Sequence, residues 1–365
     1  MNRLEVEFSG LRLKNPVMPA AGPPVKDGLA ALAAARGGAG AIVTKTISSQ
    51  GAQVPKQCMA EIRGGFLNTE LWSELPPEHW LEHEYPKVRE AGPPVIISMG
   101  YTAEQISKLA KQVRPYADAL EPSTHCLGHD PSPVVEAIKA AKEAVDLPVY
   151  VKLSPQIDLE LFATTAAEAG ADGLVLINSL GPCLDIAIET GAPLMGSKTG
   201  YGWLSGRAIF PVALRAVYEA YKYVDIPILG VGGITSGTEA IKMIMVGATA
   251  VQVCTAAILE GPGIYGKIAD QMEKYMAERG IKNLAEIRGI AHKHQRQEDL
   301  QQWLPRIDPE ACTACGACAK SCVYHAITIN GYAVVDEERC FGCGLCITRC
   351  KFGAITPKPA GQSHE

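Results

Sequence analysis

C-T-A-C-G-A-C-A-K-S-C runs from Cys312 to Cys322, and C-F-G-C-G-L-C-I-T-R-C runs from Cys340 to Cys350. The spacing C-x2-C-x2-C-x3-C therefore occurs twice, with seventeen residues between the two runs. Two-residue gaps let three thiolates of one tight loop face one cubic cluster, and the fourth thiolate of each run serves the other cluster. Cys312, Cys315, Cys318 and Cys350 are thus expected to hold one [4Fe–4S] cluster. Cys340, Cys343, Cys346 and Cys322 are expected to hold the second.

Zinc sites and a disulfide scaffold are the plainer readings of such a stretch. Zinc uses paired Cys-x2-Cys hooks, four ligands in all, often with His. Eight cysteines in a doubled rhythm, with Gly316, Gly342 and Gly344 opening the loops, instead resemble a bacterial-type two-cluster ferredoxin. One departure is visible: Val323 and Lys351 follow the fourth cysteines, where Pro is usual. No ligand is lost by it.

Over the whole chain the composition is that of a soluble globular protein. The 365 residues suggest about two domains, one of which can be a barrel of roughly 250 residues. Apolar residues make up 47% and charged ones 20%, and the net charge of −5 gives no nucleic-acid footprint. MNRLEVEFSG has no apolar core, so it does not read as a signal peptide. The longest apolar stretch, Gly28 to Thr44, is interrupted by Arg36 and reads as a helix and a strand rather than a membrane span. Eight of the twelve cysteines are assigned to clusters, which need a reducing compartment, so a cytoplasmic location is expected.

From residue 1 to about 280, short apolar runs alternate with longer helical patterns. The runs are Pro16–Ala20, Ala41–Lys45, Pro94–Ser98, Ala119–Glu121, Val149–Leu153, Gly173–Ile177, Ile226–Gly230 and Ala250–Val253. Helical patterns such as Ser132–Val145, Leu159–Ala169 and Ser236–Val246 follow most of them. Eight strands, each with its helix, predict an α/β fold, a closed parallel (β/α)8 TIM barrel. An open dinucleotide-binding sheet would want a Gly-rich turn after the first strand, and Ala20-Ala21-Gly22-Pro23-Pro24 is not one. The expected organisation is a barrel over residues 1–285, a helical linker over 286–304, a two-cluster ferredoxin-like module over 305–357 and a frayed tail over 358–365.

In such a barrel the site lies at the C-terminal ends of the strands. Those ends carry Lys45-Thr46, Ser123-Thr124-His125-Cys126, Lys152, Asn178-Ser179, Gly232-Gly233 and Cys254-Thr255. Backbone amides of the Gly-Gly turn and of the turn after strand 8 suit a phosphate. A lysine beside a flavin pyrimidine stabilises the negative charge of the reduced ring. Either lysine alone reads equally well as a strand end paired to a carboxylate; the two together favour a cofactor. The connections after strands 2 and 6, from Thr46 to about Pro93 and from Asn178 to about Gly206, are long enough to carry site residues.

Several segments resemble the dihydroorotate dehydrogenase superfamily. They include Leu13-Lys14-Asn15-Pro16 with Ala20-Ala21-Gly22, Val43-Thr44-Lys45-Thr46, Phe66-Leu67-Asn68-Thr69-Glu70-Leu71 and Val151-Lys152-Leu153-Ser154-Pro155. Gly202-Trp203-Leu204-Ser205-Gly206, Leu229-Gly230-Val231-Gly232-Gly233-Ile234 and Val251-Gln252-Val253-Cys254-Thr255-Ala256 continue the series in order. Phe210 to Val217 is similar to the FMN half of dihydropyrimidine dehydrogenase, which also carries a two-cluster ferredoxin module after its barrel. The resemblance implies FMN and two [4Fe–4S] clusters. It implies that Lys45, Lys152, Asn68, Gly206, Gly232, Gly233 and Thr255 hold the flavin, with Ala20, Ala21, Thr46 and Cys254 lining its site. It further implies that Asn68, Asn178 and Ser179 reach the substrate, with Ser123 beside them. The family loop after strand 4 reads Asn-Leu-Ser-Cys-Pro, and its Cys is the acid/base. Here Ser123-Thr124-His125-Cys126-Leu127 keeps the Cys, while Ser123 replaces the substrate-binding Asn and His125 the Ser.

Reducing a polarised C=C needs a hydride at one carbon and a proton at its neighbour. A thiol on a mobile loop facing the flavin can give the proton, which suits Cys126, with His125 as its tuner or as the acid itself. The reading is a dihydropyrimidine dehydrogenase-like oxidoreductase, with electrons passing through the clusters to FMN. The alternatives are a non-pyrimidine ene reductase of the same fold and an electron-transfer subunit of a larger flavoprotein complex. Gly230-Val231-Gly232-Gly233 lacks the third glycine of a dinucleotide fingerprint, so electrons are expected from an external NAD(P)H–FAD flavoprotein subunit or a ferredoxin. A homodimer or heterotetramer acting on a small-molecule substrate is expected, with no nucleic acid and no membrane.

Overall fold

β-Branched and leucine-rich runs buried on both faces make the parallel strands of this protein, as a sheet covered by helices requires. The computed structural model describes residues 2–124, 127–294 and 303–359. Its chain divides into two compact units, Met1–His294 and Gln295–Glu365.

In the first unit the barrel strands are β1 (Val17–Pro19), β2 (Ile42–Val43), β3 (Val95–Met99), β4 (Ala119–Pro122), β5 (Tyr150–Leu153), β6 (Gly173–Leu176), β7 (Ile228–Val231) and β8 (Ala250–Val253). Each lies within or one to two residues from one of the eight sequence runs. Parallel ladders join β2, β3 and β4, and a second set runs from β5 through β6, β7 and β8 to β1. Two seams close the ring. Leu120 N–H donates to the Pro148 carbonyl at 2.8 Å beside the Leu120–Val149 bridge, and Gly40 N–H donates to the Val17 carbonyl at 2.7 Å. The fold is therefore a (β/α)8 barrel.

β2 is shorter than its run because the chain turns early: Lys45 N–H bonds the Val25 carbonyl at 3.2 Å and not a neighbouring strand. Several of the outer helices are capped by their own sequence. Asp27 accepts from Ala30 N–H and Asp158 from Leu161 N–H, and Thr102 with Gln105 forms a complete capping box.

The two long connections do not lie loose. Met59–Ile62 and Gly65–Asn68 from the first, and Leu180–Cys183 and Gly202–Ser205 from the second, form one four-stranded antiparallel sheet. Its central register pairs Trp203 with Asn68 and Ser205 with Phe66. Sequence reading marked both loops as site-bearing but gave no hint that they pair with each other.

The second unit holds two short helices, Ala317–Ser321 and Leu345–Arg349, a hairpin of Ile327–Asn330 with Tyr332–Val335, and an antiparallel pair of Trp303–Ile307 with Ile355–Pro359. Two boundaries differ from expectation. Trp303 and Leu304 belong to a strand and not to a linker, and Lys358 and Pro359 complete that strand's partner and not a frayed tail. The backbone bonds between the chain ends of this unit decide both. Ile290–His294 is a 3-10 turn on the barrel, where His292 stacks on Tyr218 at 4.1 Å. The rest of the expected linker, residues 295–302, and the tail beyond 359 lie outside the described residues.

Candidate active site and cluster cavity

The strand ends and the antiparallel sheet enclose one cavity of about 190 Å³. Ala20 and Ala21 follow β1, Lys45 and Thr46 follow β2, Ser123 follows β4, and Lys152 projects from β5. Asn178 and Ser179 follow β6, Gly232 and Gly233 follow β7, and Cys254 and Thr255 follow β8. Asn68 and Gly206 come from the sheet side. Every barrel residue given a site role from the sequence lines this cavity except His125 and Cys126, which lie outside the described residues.

Local bonds hold these groups in place. Asn68 Nδ2 donates to the Trp203 carbonyl at 3.1 Å, so the cross-loop sheet fixes its amide. Thr255 Oγ1 donates to Ser205 Oγ at 2.9 Å, tying the turn after β8 to the same sheet. Ser123 and Lys152 are bridge partners across β4 and β5.

Both lysines are nearly buried and both are paired. Lys45 Nζ lies 2.5 Å from Glu70 Oε2 and 3.9 Å from Glu74 Oε2. Lys152 Nζ lies 3.5 Å from Glu121 Oε1, a carboxylate with no exposed surface. Glu121 Oε2 in turn accepts from Gln252 Nε2 at 2.6 Å. Sequence reading missed Glu70, Glu121 and the role of Gln252. A glutamate inside an apolar strand run, as in Ala119–Pro122, is the signal that could have found one of them, because a buried carboxylate needs a partner. It also missed the wall formed by Trp72 and Tyr101, whose rings stack with centroids 3.4 Å apart and line the cavity.

Two features of the cavity fit a flavin. Gly232 and Gly233 have φ of 123° and 72°, and a Cβ at either would lie under 3 Å from Ala213 or Phe210, so only glycine permits this turn to offer its backbone to a phosphate. Gln252 Oε1 is a buried acceptor without a partner among the described residues, as expected where a ligand's N–H completes the site. Burial pushes the Cys254 thiol up to about 11, against the pull of Lys152 and Lys45, so it stays a neutral lining group.

In the second unit a cavity is lined by Cys312, Cys315, Cys318 and Cys350, with Ile329, Ala333, Phe352 and Ile355 around them. The fourth cysteine comes from the other run, as the spacing required. Backbone N–H groups point at sulfur: Ala333 to Cys312 Sγ and Ala326 to Cys322 Sγ, both at 3.4 Å. None of the described cysteines is in a disulfide. No three His, Cys, Asp or Glu side chains among the described residues converge as tightly as a single metal ion demands.

A barrel with a Gly-Gly turn suited to a phosphate and two buried lysines, in a chain whose second unit has a cysteine-lined cavity, defines a flavin-dependent, iron–sulfur oxidoreductase. The chain belongs to the dihydroorotate dehydrogenase family, which it matches over residues 3–276, and it carries a 4Fe-4S dicluster domain over residues 294–354. It is 37% identical over 303 residues to the dihydroorotate dehydrogenase B (NAD(+)) catalytic subunit of Methanothermobacter thermautotrophicus, covering 79% of this chain and 98% of that one. The Methanocella arvoryzae subunit of the same name is 37% identical (81% and 100% covered), and that of Geobacter sulfurreducens 36% (78% and 97%). This chain is thus an FMN and iron–sulfur oxidoreductase acting on CH–CH bonds. No helix among the described residues is long and apolar enough to cross a membrane.

Proposed function

We propose that the protein reduces, or in reverse forms, the activated C=C bond of an uncharged cyclic amide of the pyrimidine type. The observation that carries this reading is the pairing of the cavity's cations. Lys45 and Lys152 are the cationic side chains among the described lining residues, and each already faces a carboxylate. A carboxylate-bearing substrate would have to break one of these buried pairs, and breaking one strands an uncompensated charge at several kcal/mol, roughly 3–5. A neutral ring makes no such demand. The Trp72–Tyr101 wall suits a planar ring as well.

The residues then divide the work. Lys45, Lys152, Asn68, Gly206, Gly232, Gly233 and Thr255 hold FMN, with Ala20, Ala21, Thr46 and Cys254 completing the lining. When bound, FMN supplies the hydride, and two [4Fe–4S] clusters on the eight cysteines supply single electrons. Asn68, Ser123, Asn178 and Ser179 orient the ring through its amide groups. Cys126 Sγ gives the proton to the carbon next to the one reduced, and His125 tunes that thiol. Electrons come from a separate NAD(P)H-oxidising flavoprotein subunit or a ferredoxin. A homodimeric or heterotetrameric assembly in the cytoplasm accords with that supply.

A second reading is favoured by the relatives, whose name specifies dihydroorotate: the substrate would then be an anion. Flavin difference spectra separate the two. Titrating oxidised, FMN-loaded protein with uracil, thymine and orotate should perturb the flavin band with the neutral pyrimidines at concentrations at least tenfold lower than with orotate. Tighter binding of orotate would overturn the neutral-substrate reading.

A further inference from the structure

Gln252 sits on β8 with no exposed surface, yet its two amide ends have different fates. Nε2 donates to Glu121 Oε2 at 2.6 Å, while Oε1 is buried without a partner among the described residues. Amide O and N are assigned by the network around them, and here the assignment is forced. Glu121 is completely buried, and its second oxygen faces the Lys152 ammonium at 3.5 Å. A carboxylate paired in this way only accepts, so the NH2 end of Gln252 must face it. The carbonyl end is thereby turned the other way. Gln252 and Lys152 both line the main cavity.

We infer that Glu121 sets the polarity of the flavin site: it locks Gln252 so that Oε1 is offered to an imide N–H of the flavin ring, while its other oxygen balances Lys152. Three strands take part, β4 through Glu121, β5 through Lys152 and β8 through Gln252, so the lock spans the barrel floor. A pyrimidine-type flavin edge presents one N–H flanked by two carbonyls. A fixed acceptor beside a fixed cation reads that pattern, and an amide free to flip would not. Glu121 is a positioning residue in this scheme, acting through Gln252 and Lys152. The inference rests on FMN as the occupant of the cavity.

The test uses the full-length chain with its clusters in place and its flavin removed, titrated with FMN and with 3-methyl-FMN, which lacks the imide N–H. Wild-type protein should bind FMN about tenfold or more tightly than 3-methyl-FMN, the scale of losing one buried hydrogen bond. Gln252→Leu should shrink that ratio towards one. Glu121→Gln, nearly isosteric, should do the same by letting the two amides face each other in either sense, and it carries the test should the leucine variant not fold. A merely structural role for Glu121 would weaken both flavins alike and leave the ratio unchanged; that result overturns the proposal. Wild-type protein that binds both flavins equally well overturns it too. Binding of neither flavin would instead remove the FMN assignment itself, and the proposal with it.

Discussion

The barrel and the cluster module reach stability by different routes. The barrel buries Trp80, Tyr85, Tyr265 and Phe162 within a core drawn from all eight strands and their helices, and Tyr150 within a second cluster. Among the described residues, the module's one hydrophobic cluster is Cys318, Ile327, Ala333, Cys346 and Ile355, and two of those are expected cluster ligands. A unit this small closes too little apolar surface to hold itself together without a staple, and metal binding then becomes folding free energy. In the barrel, cofactor and fold are separable; in the module they are not.

Iron removal should expose that difference most strongly. Anaerobic chelation is expected to abolish amide protection across residues 303–359 while the strands from Val17 to Val253 stay protected. Hydrogen exchange read by mass spectrometry checks it, and a module that keeps its protection without iron would undo the comparison.

Chemistry and electron delivery should separate along the same line. Cys126→Ser is expected to lower turnover by roughly 10²–10⁴-fold, the usual weight of a general acid. Flavin reduction through the clusters should be unchanged, as followed by stopped-flow absorbance. Full turnover in that variant would make the barrel a relay.

A finer contrast lies inside the module. Its two halves repeat with left-handed residues at matching places: Ala314 and Gly342, Gly316 and Gly344, His325 and Gly353, with φ between 51° and 77°. Ala314 pays the strain that Gly342 avoids. Ala314→Gly should stabilise the loaded protein by about 0.5–1 kcal/mol. Gly342→Ala should cost more than that stabilisation, because its Cβ would meet the Trp303 carbonyl oxygen at 2.5 Å. Thermal melts of the two variants, measured together, would break the argument if they moved in the same direction.

The barrel was legible because its signal is local. Each apolar run is buried on both faces, so eight strands can be counted without knowing what touches what. The cysteine rhythm is equally local, and it grouped Cys350 with Cys312, Cys315 and Cys318, the four cysteines that line one cavity. What escaped was pairing at long range. Glu121 and Gln252 meet across 131 positions, and Asn68 and Trp203 across 135, and no periodicity announces either contact. Trp72 and Tyr101 look like ordinary loop aromatics until the fold stacks them. Trp303 and Leu304 looked like the end of a linker because their partner strand lies some fifty residues on, at the other end of the module.

The most direct measurement is a single reoxidation. The full protein, FMN and clusters loaded, is reduced anaerobically with a slight excess of dithionite and mixed with uracil, thymine or orotate while the flavin and cluster bands are followed. Prompt reoxidation by a neutral pyrimidine, with orotate slow, is the result predicted from the paired cations of the cavity. Prompt reoxidation by orotate alone would contradict it and return the protein to the anionic substrate that its relatives' name specifies.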